Sequence, residues 1–299
     1  MYHEPVLLKE SVDGLNIVSD GIYVDATFGG GGHSGELLKR LGANGKIFAF
    51  DRDADAENNA IKDQRVMLIK HNFRYTKKFL RYYDALPING IIADLGISSH
   101  QFDVAERGFS TRFEADLDMR MSRETELTAA QVVNTYDEDR LVQLFSEYGE
   151  VRNSKTLAKT IATARKLKPI NTILEFKSAI NVCADRGMEN QYFARVFQAL
   201  RIEVNDELGA LKELLMQCPE LVLKGGRMVI ISYHSLEDRL VKNFISKGKF
   251  EGEVEKDLYG NSAGVPFKAI NKKPLLPSEE ELRINPRSRS AKLRIAERI

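Results

Sequence analysis

The chain has 299 residues, 43% hydrophobic and 29% charged, with 44 Lys and Arg against 43 Asp and Glu for a net charge of +1. That balance excludes a disordered chain, and no apolar run reaches the roughly 18–20 residues of a membrane span. Cys183 and Cys218 stand alone without metal-ligand spacing, and Met1-Tyr-His-Glu-Pro lacks the basic and apolar regions of a signal peptide, so a reducing, cytoplasmic setting is expected.

Gly21-Ile-Tyr-Val-Asp-Ala-Thr-Phe, Lys46-Ile-Phe-Ala-Phe-Asp, Val66-Met-Leu-Ile and Ile88-Asn-Gly-Ile-Ile-Ala-Asp-Leu are short apolar runs. Their branched and aromatic content suits buried parallel strands. Helix-like stretches separate them at 33–41, 54–61 and 75–83. The alternation predicts an α/β fold with a parallel sheet covered by helices. The rhythm stops near Gln101. Charged, irregular text follows to about Thr125, then helical stretches at 137–148, 155–166 and 172–183 and a long one from Gln191. Arg227-Met-Val-Ile-Ile-Ser restores a strand after the turn Lys224-Gly-Gly. Residues 248–277, rich in Gly and Pro, read as a loop, and Lys292-Leu-Arg-Ile-Ala-Glu as a last strand. The organisation expected is a domain of residues 1–103 and 191–299 with a helical domain of 104–190 inserted.

Asp25-Ala-Thr-Phe-Gly-Gly-Gly-Gly-His-Ser-Gly35 follows a strand and opens a helix. Glycines there let the backbone turn sharply and approach a ligand, and the helix start offers free N–H groups. Gly30, Gly32 and Gly35 satisfy the dinucleotide fingerprint, with Asp51 about 20 residues on. An acid at Asp51 would hold the ribose of NAD or of S-adenosylmethionine alike, or would cap the helix near Ala54. Asp25 leans toward the methyl donor, whose amino-acid end carries an ammonium. Phe73 suits an adenine ring or the core. Asp94, at the end of the fourth strand, is placed to accept from an amino group; Ser98, Ser99 and Gln101 suit capping or ligand contact. Tyr233 and His234, in Ser232-Tyr-His-Ser-Leu-Glu-Asp-Arg, fall at the same sheet edge, with Ser235 read as the helix cap and Asp238 reinforcing it. Neither cysteine reads as an activated nucleophile, and the histidines have no zinc-like spacing. Asn285-Pro-Arg-Ser-Arg-Ser-Ala-Lys-Leu-Arg holds four positive charges and no acid, a basic patch or an ordinary surface strand.

Together these strings, with His3-Glu-Pro-Val-Leu-Leu, Asp51-Arg-Asp, Ala105-Glu-Arg-Gly-Phe-Ser, Leu117-Asp-Met-Arg-Met and Phe197-Gln-Ala-Leu-Arg-Ile-Glu-Val-Asn-Asp-Glu-Leu, resemble the RsmH (MraW) family, ribosomal RNA small subunit methyltransferase H. The resemblance runs through nearly the whole chain. It implies a class I S-adenosylmethionine-dependent methyltransferase, a Rossmann-like sheet with an inserted helical domain, that methylates N4 of cytidine 1402 in 16S rRNA. It implies donor contacts at Gly31, Gly32, His33, Asp51, Phe73, Asp94 and Gln101, no metal, and the small (30S) ribosomal subunit as partner; a homodimer is compatible with it. Asp94-Leu-Gly-Ile-Ser-Ser departs from the Asp/Ser-Pro-Pro-aromatic motif of many amino-methyltransferases. Asp94, Tyr233 and His234 are the candidates for the group that accepts from the target amine. A buried target base would have to be splayed out, with the helical insert forming part of its wall and Lys155, Lys159, Arg165, Lys166 and Lys168 offering a face to phosphates.

Overall fold

In the computed structural model, which describes residues 5–110, 114–252 and 264–299, seven strands form one sheet. They are β1 (Ile22–Asp25), β2 (Lys46–Asp51), β3 (Val66–Lys70), β4 (Ile88–Asp94), β5 (Val222–Ser232), β6 (Phe267–Ala269) and β7 (Lys292–Arg298). Their order is β3-β2-β1-β4-β5-β7-β6. The first five run parallel, and β7 lies antiparallel between β5 and β6. This is the Rossmann-like α/β sheet that the resemblance implies.

Side chains of successive strand residues point to opposite faces, and both faces are apolar. Val24, Phe48, Phe50, Ile91 and Ile230 enter one core, while Tyr23, Ile47, Ala49, Ile92 and Ile231 enter another. That double burial explains why these strands read as continuous apolar runs rather than as alternating ones. β1 is shorter than its apolar run because the chain bends at Ala26. The backbone stays paired even so: Ala26 N–H donates to Ile92 O at 2.8 Å and Phe28 N–H to Phe50 O at 2.8 Å.

The structure departs from the sequence reading in several elements. The stretch from Ala54 is a short 3-10 helix, Ala54–Asn59, opened by Asp53, whose side chain accepts from Asp55 N–H. The Lys224-Gly-Gly turn lies inside β5 as an irregularity, with Ile88 pairing to Val222 and Gly90 already to Arg227. Gly225, at φ 80°, makes that detour. Part of the expected loop at 248–277 is β6, an edge strand completed by β7; residues 253–263 of that loop lie outside the described residues, as do His3 and Glu4.

The chain divides into two compact units, residues 1–96 with 208–299, and residues 97–207. The second unit is wider than the expected 104–190. The reason is the helix Glu189–Asn205, which sends Phe193, Val196, Phe197 and Leu200 into a core with Leu141, Phe145, Leu157, Ile161 and Phe176. That helix, the long one read from near Gln191, stops at Asp206, whose backbone is left-handed at φ 45°, and a second helix, Glu207–Leu221, follows. Within this unit the irregular segment after Asp103 is pinned from inside. The guanidinium of Arg107, 3% exposed, donates to Met121 O at 2.8 Å, and Asn205 bridges Met119 O and Met121 N–H at 2.7 and 2.8 Å.

Candidate functional site

Parallel sheets bind ligands outside the carboxyl ends of their strands. In this sheet those ends carry Asp25 on β1, Asp51 on β2, Phe73 just past β3, Asp94 on β4 and Tyr233 just past β5. One edge therefore gathers six of the sequence candidates, counting the glycine loop.

The loop after β1 is shaped largely by the protein itself. Gly31 caps the helix Gly32–Lys39 with left-handed backbone at φ 76°, and a Cβ there would come within 2.8 Å of the Phe28 ring. A Cβ on Gly32 would meet Pro5 at 2.0 Å. These glycines are required by Phe28 and Pro5 as well as by any ligand. Gly35 is different. In the dinucleotide fingerprint the third glycine permits close helix–strand packing, but here a Cβ on Gly35 meets nothing within 4 Å among the described residues. Gly35→Ala is therefore expected to raise the stability of the ligand-free protein by about 0.5–1 kcal/mol through helix propensity, measured by urea unfolding. A loss of stability would show a packing role after all.

Asp25 is turned inward. It is 1% exposed, accepts from Thr27 N–H at 3.1 Å and Ser34 Oγ at 2.6 Å, and also takes the Ser34 backbone N–H. It fastens the strand end to the helix start and does not present itself to a ligand ammonium, contrary to the sequence reading. His33 is likewise buried, with Nε2 3.1 Å from Val6 O, so what it offers outward is its first-turn N–H.

Asp51 accepts from Gly29 N–H and Asp53 N–H, both at 2.8 Å. It thereby sets the glycine loop against the end of β2, and Asn59 reinforces the loop by donating to Gly29 O at 3.1 Å. The helix-start cap near Ala54 is Asp53, not Asp51. Desolvation pushes the Asp51 carboxyl up to about 6, with a further upward push from Asp53 and Asp25. Phe73 is half-buried and packs on the sheet core, one side remaining open beside Asn72, which caps Arg74 N–H.

Asp94 is positioned by its own backbone, whose N–H donates to Thr27 Oγ1 at 2.6 Å. Its carboxylate interacts with the Tyr233 hydroxyl and Gly96 N–H, yet Oδ1 is buried without a hydrogen-bond partner among the described residues. Burial raises its proton affinity, and His33 opposes the rise. Tyr233 packs against Gly96, where a Cβ would come within 2.7 Å of its ring. Desolvation and the neighbouring Asp94, Glu237 and Glu281 hold the phenol well above its ordinary range. Tyr233 is thus a hydrogen-bond donor at neutral pH, not a base.

His234, not Ser235, caps the helix Ser235–Lys247. Glu237 N–H donates to its Nδ1 at 3.4 Å, and Glu237 returns the bond to the backbone N–H of Tyr233 at 2.8 Å and of His234 at 3.4 Å. Its Nε2 stands 3.1 Å from Glu237 Oε1, and the ring is buried. His234 holds the turn that presents Tyr233. Asp238 pairs with Arg294 instead of supporting the cap, at 2.6 and 3.1 Å. The Cys218 thiol, fully buried, is pushed up to about 12, which suits no nucleophile.

In the second unit, Gln101 is 5% exposed and its amide Oε1 faces Ser98 N–H at 3.4 Å, while Ser98 Oγ accepts from Gln101 N–H at 3.2 Å. On the helix Ser154–Leu167, Lys155, Lys159 and Lys166 are exposed. Arg165 is spent on Val133 O at 2.8 Å and Lys168 on Glu175 at 2.5 Å.

Sequence reasoning missed Thr27, Gly96 and Glu237. Gly96 and Glu237 had readable signals: a glycine two residues past a strand-end acid, and an acid three residues after a polar cap. Thr27 had none, because its contact joins β1 to β4.

The site gathers carboxyl groups. Asp25, Asp51 and Asp94 crowd three adjacent strand ends, and Asp25 raises the proton affinity of both others by repulsion. A pyrophosphate would add negative charge to this edge; a ligand carrying positive charge relieves it. Carboxyl groups gathered at one edge suit a ligand that carries positive charge.

The description "MraW methylase family" belongs to a family model that matches residues 1–299. Among curated proteins, the chain is similar to ribosomal RNA small subunit methyltransferase H of Flavobacterium johnsoniae, 57% identical over all of this chain and 98% of that protein. The protein of the same name from Cytophaga hutchinsonii is also 57% identical, over 100% of both chains. That of Christiangramia forsetii is 54% identical over all of this chain and 98% of its own.

Proposed function

The chain belongs to the MraW methylase family, and from that membership we propose that it uses S-adenosylmethionine to methylate N4 of cytidine 1402 in the 16S rRNA of the small ribosomal subunit. Methylation of small-subunit rRNA accords with relatives of that name aligned over 98% and 100% of their own lengths. The observation that carries the donor assignment is the row of strand-end carboxylates, ending in a buried Asp94 oxygen with no partner. A sulfonium ion supplies the charge this edge lacks.

When bound, S-adenosylmethionine supplies a methyl carbon already activated toward a nucleophile. The protein's task is alignment. Asp51 would accept from the ribose hydroxyls, Phe73 would take the adenine face, and the first-turn N–H groups of Gly32 and His33, behind Gly31, would receive the carboxylate. Two strand positions away from Asp51, Asp94 Oδ1 accepts from the target N4–H. That bond localises the amine lone pair; as the N4–C bond forms the donor's C–S bond breaks, the sulfur leaves as a neutral thioether, and the proton lost from N4 passes to the Asp94 carboxylate. Tyr233 donates to Asp94 and fixes its orientation, and His234 with Glu237 fixes Tyr233. Lys155, Lys159 and Lys166 sit at helical spacing that puts them on one face, suited to phosphates.

Donor binding is expected to depend on pH through Asp51. With its carboxyl near 6, the ionised form that accepts from ribose is full at pH 7.5 and falls to about a tenth at pH 5. Affinity by calorimetry should drop roughly tenfold across that interval. The same upward shift means that, without donor, this group's contribution to stability is present below about pH 4 and is lost as pH rises toward 6. A flat affinity profile would remove Asp51 from the ribose.

The function is tested by methyl transfer from labelled donor to small subunits that lack the modification, followed by nucleoside analysis. N4-methylcytidine at position 1402 is the expected product. Label in another base, or none, overturns the proposal.

A further inference from the structure

We propose that the helix Thr76–Tyr82 and its flanks form a docking surface for an unpaired stretch of the substrate rRNA; the inference rests on the RNA-methylating function proposed above. Two columns of rings lead from the core to the surface here. In one, Phe48 meets Tyr83 at 5.8 Å between ring centroids, and Tyr83 meets Tyr82 at 5.0 Å. In the other, Phe50 meets Phe79 at 5.9 Å, Phe79 meets His71 at 5.2 Å, and His71 meets Tyr75 at 4.9 Å. Phe48 and Phe50 are buried, whereas Tyr82 is 80% exposed and Tyr75 42%. Each outer tyrosine is thus propped by the rings beneath it and has little side-chain freedom left to lose on binding. Rigid aromatic faces open to water suit stacked bases.

The same stretch is basic. From Arg65 to Tyr83 the sequence holds six Lys and Arg and no Asp or Glu, and Asp84 ends the run. Arg74 and Lys77 turn toward the helix Glu207–Leu221, where Arg74 pairs with Glu213 at 3.4 Å and Lys77 with Glu220. Arg81 lies near that same Glu220, a carboxylate Lys77 already holds. Lys78 and Arg81 are exposed. Lys78 falls three residues after Tyr75, three before Arg81 and four before Tyr82, so the four side chains share one ridge. Cations and aromatic rings interleave along it, matching a polymer that alternates phosphates with bases. A second copy of the chain would bring the same cations against themselves across a two-fold axis; charge complementarity selects the polyanion.

Topology ties the ridge to the site. β3 and β4 run parallel, so the segment between them returns from the carboxyl edge of the sheet to the amino edge. It sets out beside Phe73, at the strand ends that form the candidate site, and Tyr75 follows two residues on. Tyr82 lies roughly 10 Å farther along the helix. The ridge therefore leads a strand away from the carboxylates at the carboxyl edge, which repel a polyanion, onto ground where phosphates meet cations.

The test uses the full-length protein with Tyr75→Ala/Tyr82→Ala, Tyr75→Phe/Tyr82→Phe and Lys78→Ala/Arg81→Ala double variants. Filter binding of unmodified small subunits is measured across a salt series, methyl transfer as KM and kcat, donor affinity by calorimetry, and self-association by sedimentation. The Tyr→Ala pair is expected to weaken subunit binding and raise KM at least tenfold with the salt slope unchanged, and the Phe pair should keep most of the binding because its ring faces remain. The Lys78/Arg81 pair should weaken binding and shrink the slope of log binding constant against log salt by about 1.5. In all three, kcat at saturating subunits and donor affinity should stay within about twofold. Unchanged subunit binding in either alanine pair overturns the inference. So does a wild-type dimer that the Tyr→Ala change dissociates, which would assign the ridge to a second copy, and so does a parallel loss of donor affinity and melting temperature, which would make the rings structural. If wild-type protein binds subunits but transfers no methyl, the proposed function fails, while the ridge is still judged on binding and salt slope.

Discussion

Asp94→Asn is expected to lower methyl transfer 100- to 1,000-fold while changing donor affinity less than tenfold. The substitution keeps the shape of the side chain and an oxygen for Tyr233 and Gly96. It removes the negative charge and turns one of two acceptors into a donor. The unpartnered Oδ1 is the acceptor proposed for N4–H, and removing one well-placed polar partner of a transition state costs on the order of 10²–10³ in rate. Cytosine N4 depends on that partner because its lone pair is delocalised into the ring. Single-turnover transfer with saturating donor isolates the step. Near-wild-type turnover with strongly weakened donor binding would move Asp94 to the donor alone. Tyr233→Phe, which keeps the ring on Gly96 and removes only the hydroxyl, should give a smaller loss in the same direction.

Asp51→Ala is expected to weaken donor binding by roughly 1–3 kcal/mol, about 5- to 150-fold, through loss of charge-assisted bonds to the ribose. A second effect has the opposite sign. Asp51 is a desolvated carboxylate held near 6, so its removal relieves a cost that the ligand-free protein carries at neutral pH. The same change strands Gly29 N–H and Asp53 N–H, which donate to it at 2.8 Å. Melting temperature should therefore change little while affinity falls. Unchanged affinity by calorimetry would separate Asp51 from the ribose.

The sheet was legible because its strands are buried on both faces, which leaves an apolar signature without competing periodicities. The site's edge follows from that, since topology alone carries the carboxyl ends of the five parallel strands to one side. What pattern could not show was the direction in which each polar group faces. Asp25 and Asp51 have equivalent places at strand ends, yet the first is consumed by Ser34 and Thr27 while the second is left half-buried beside the glycine loop. His234 looked like chemistry and serves as a cap, because imidazole Nδ1 can accept a first-turn N–H as an Asp would. The glycine string was read for a ligand, and Phe28 and Pro5 prove equally to require it. β6 was hidden because an edge strand of three residues flanked by Gly and Pro has no sequence signature of its own; it exists because β7 supplies its partner. Composition does not mark which unit the helix Glu189–Asn205 joins. The chain stays helical through residue 205, and only the burial of Val196 and Leu200 tells which core owns it.

The most direct test of the cationic-nucleoside site is a crystal structure of the protein with S-adenosylmethionine. The expected result places the ribose hydroxyls about 3 Å from Asp51, the adenine against Phe73, and the sulfonium at the β1–β4 strand ends with its methyl toward Asp94. A nucleoside lodged at another edge of the sheet, or a ribose turned away from Asp51, contradicts the account.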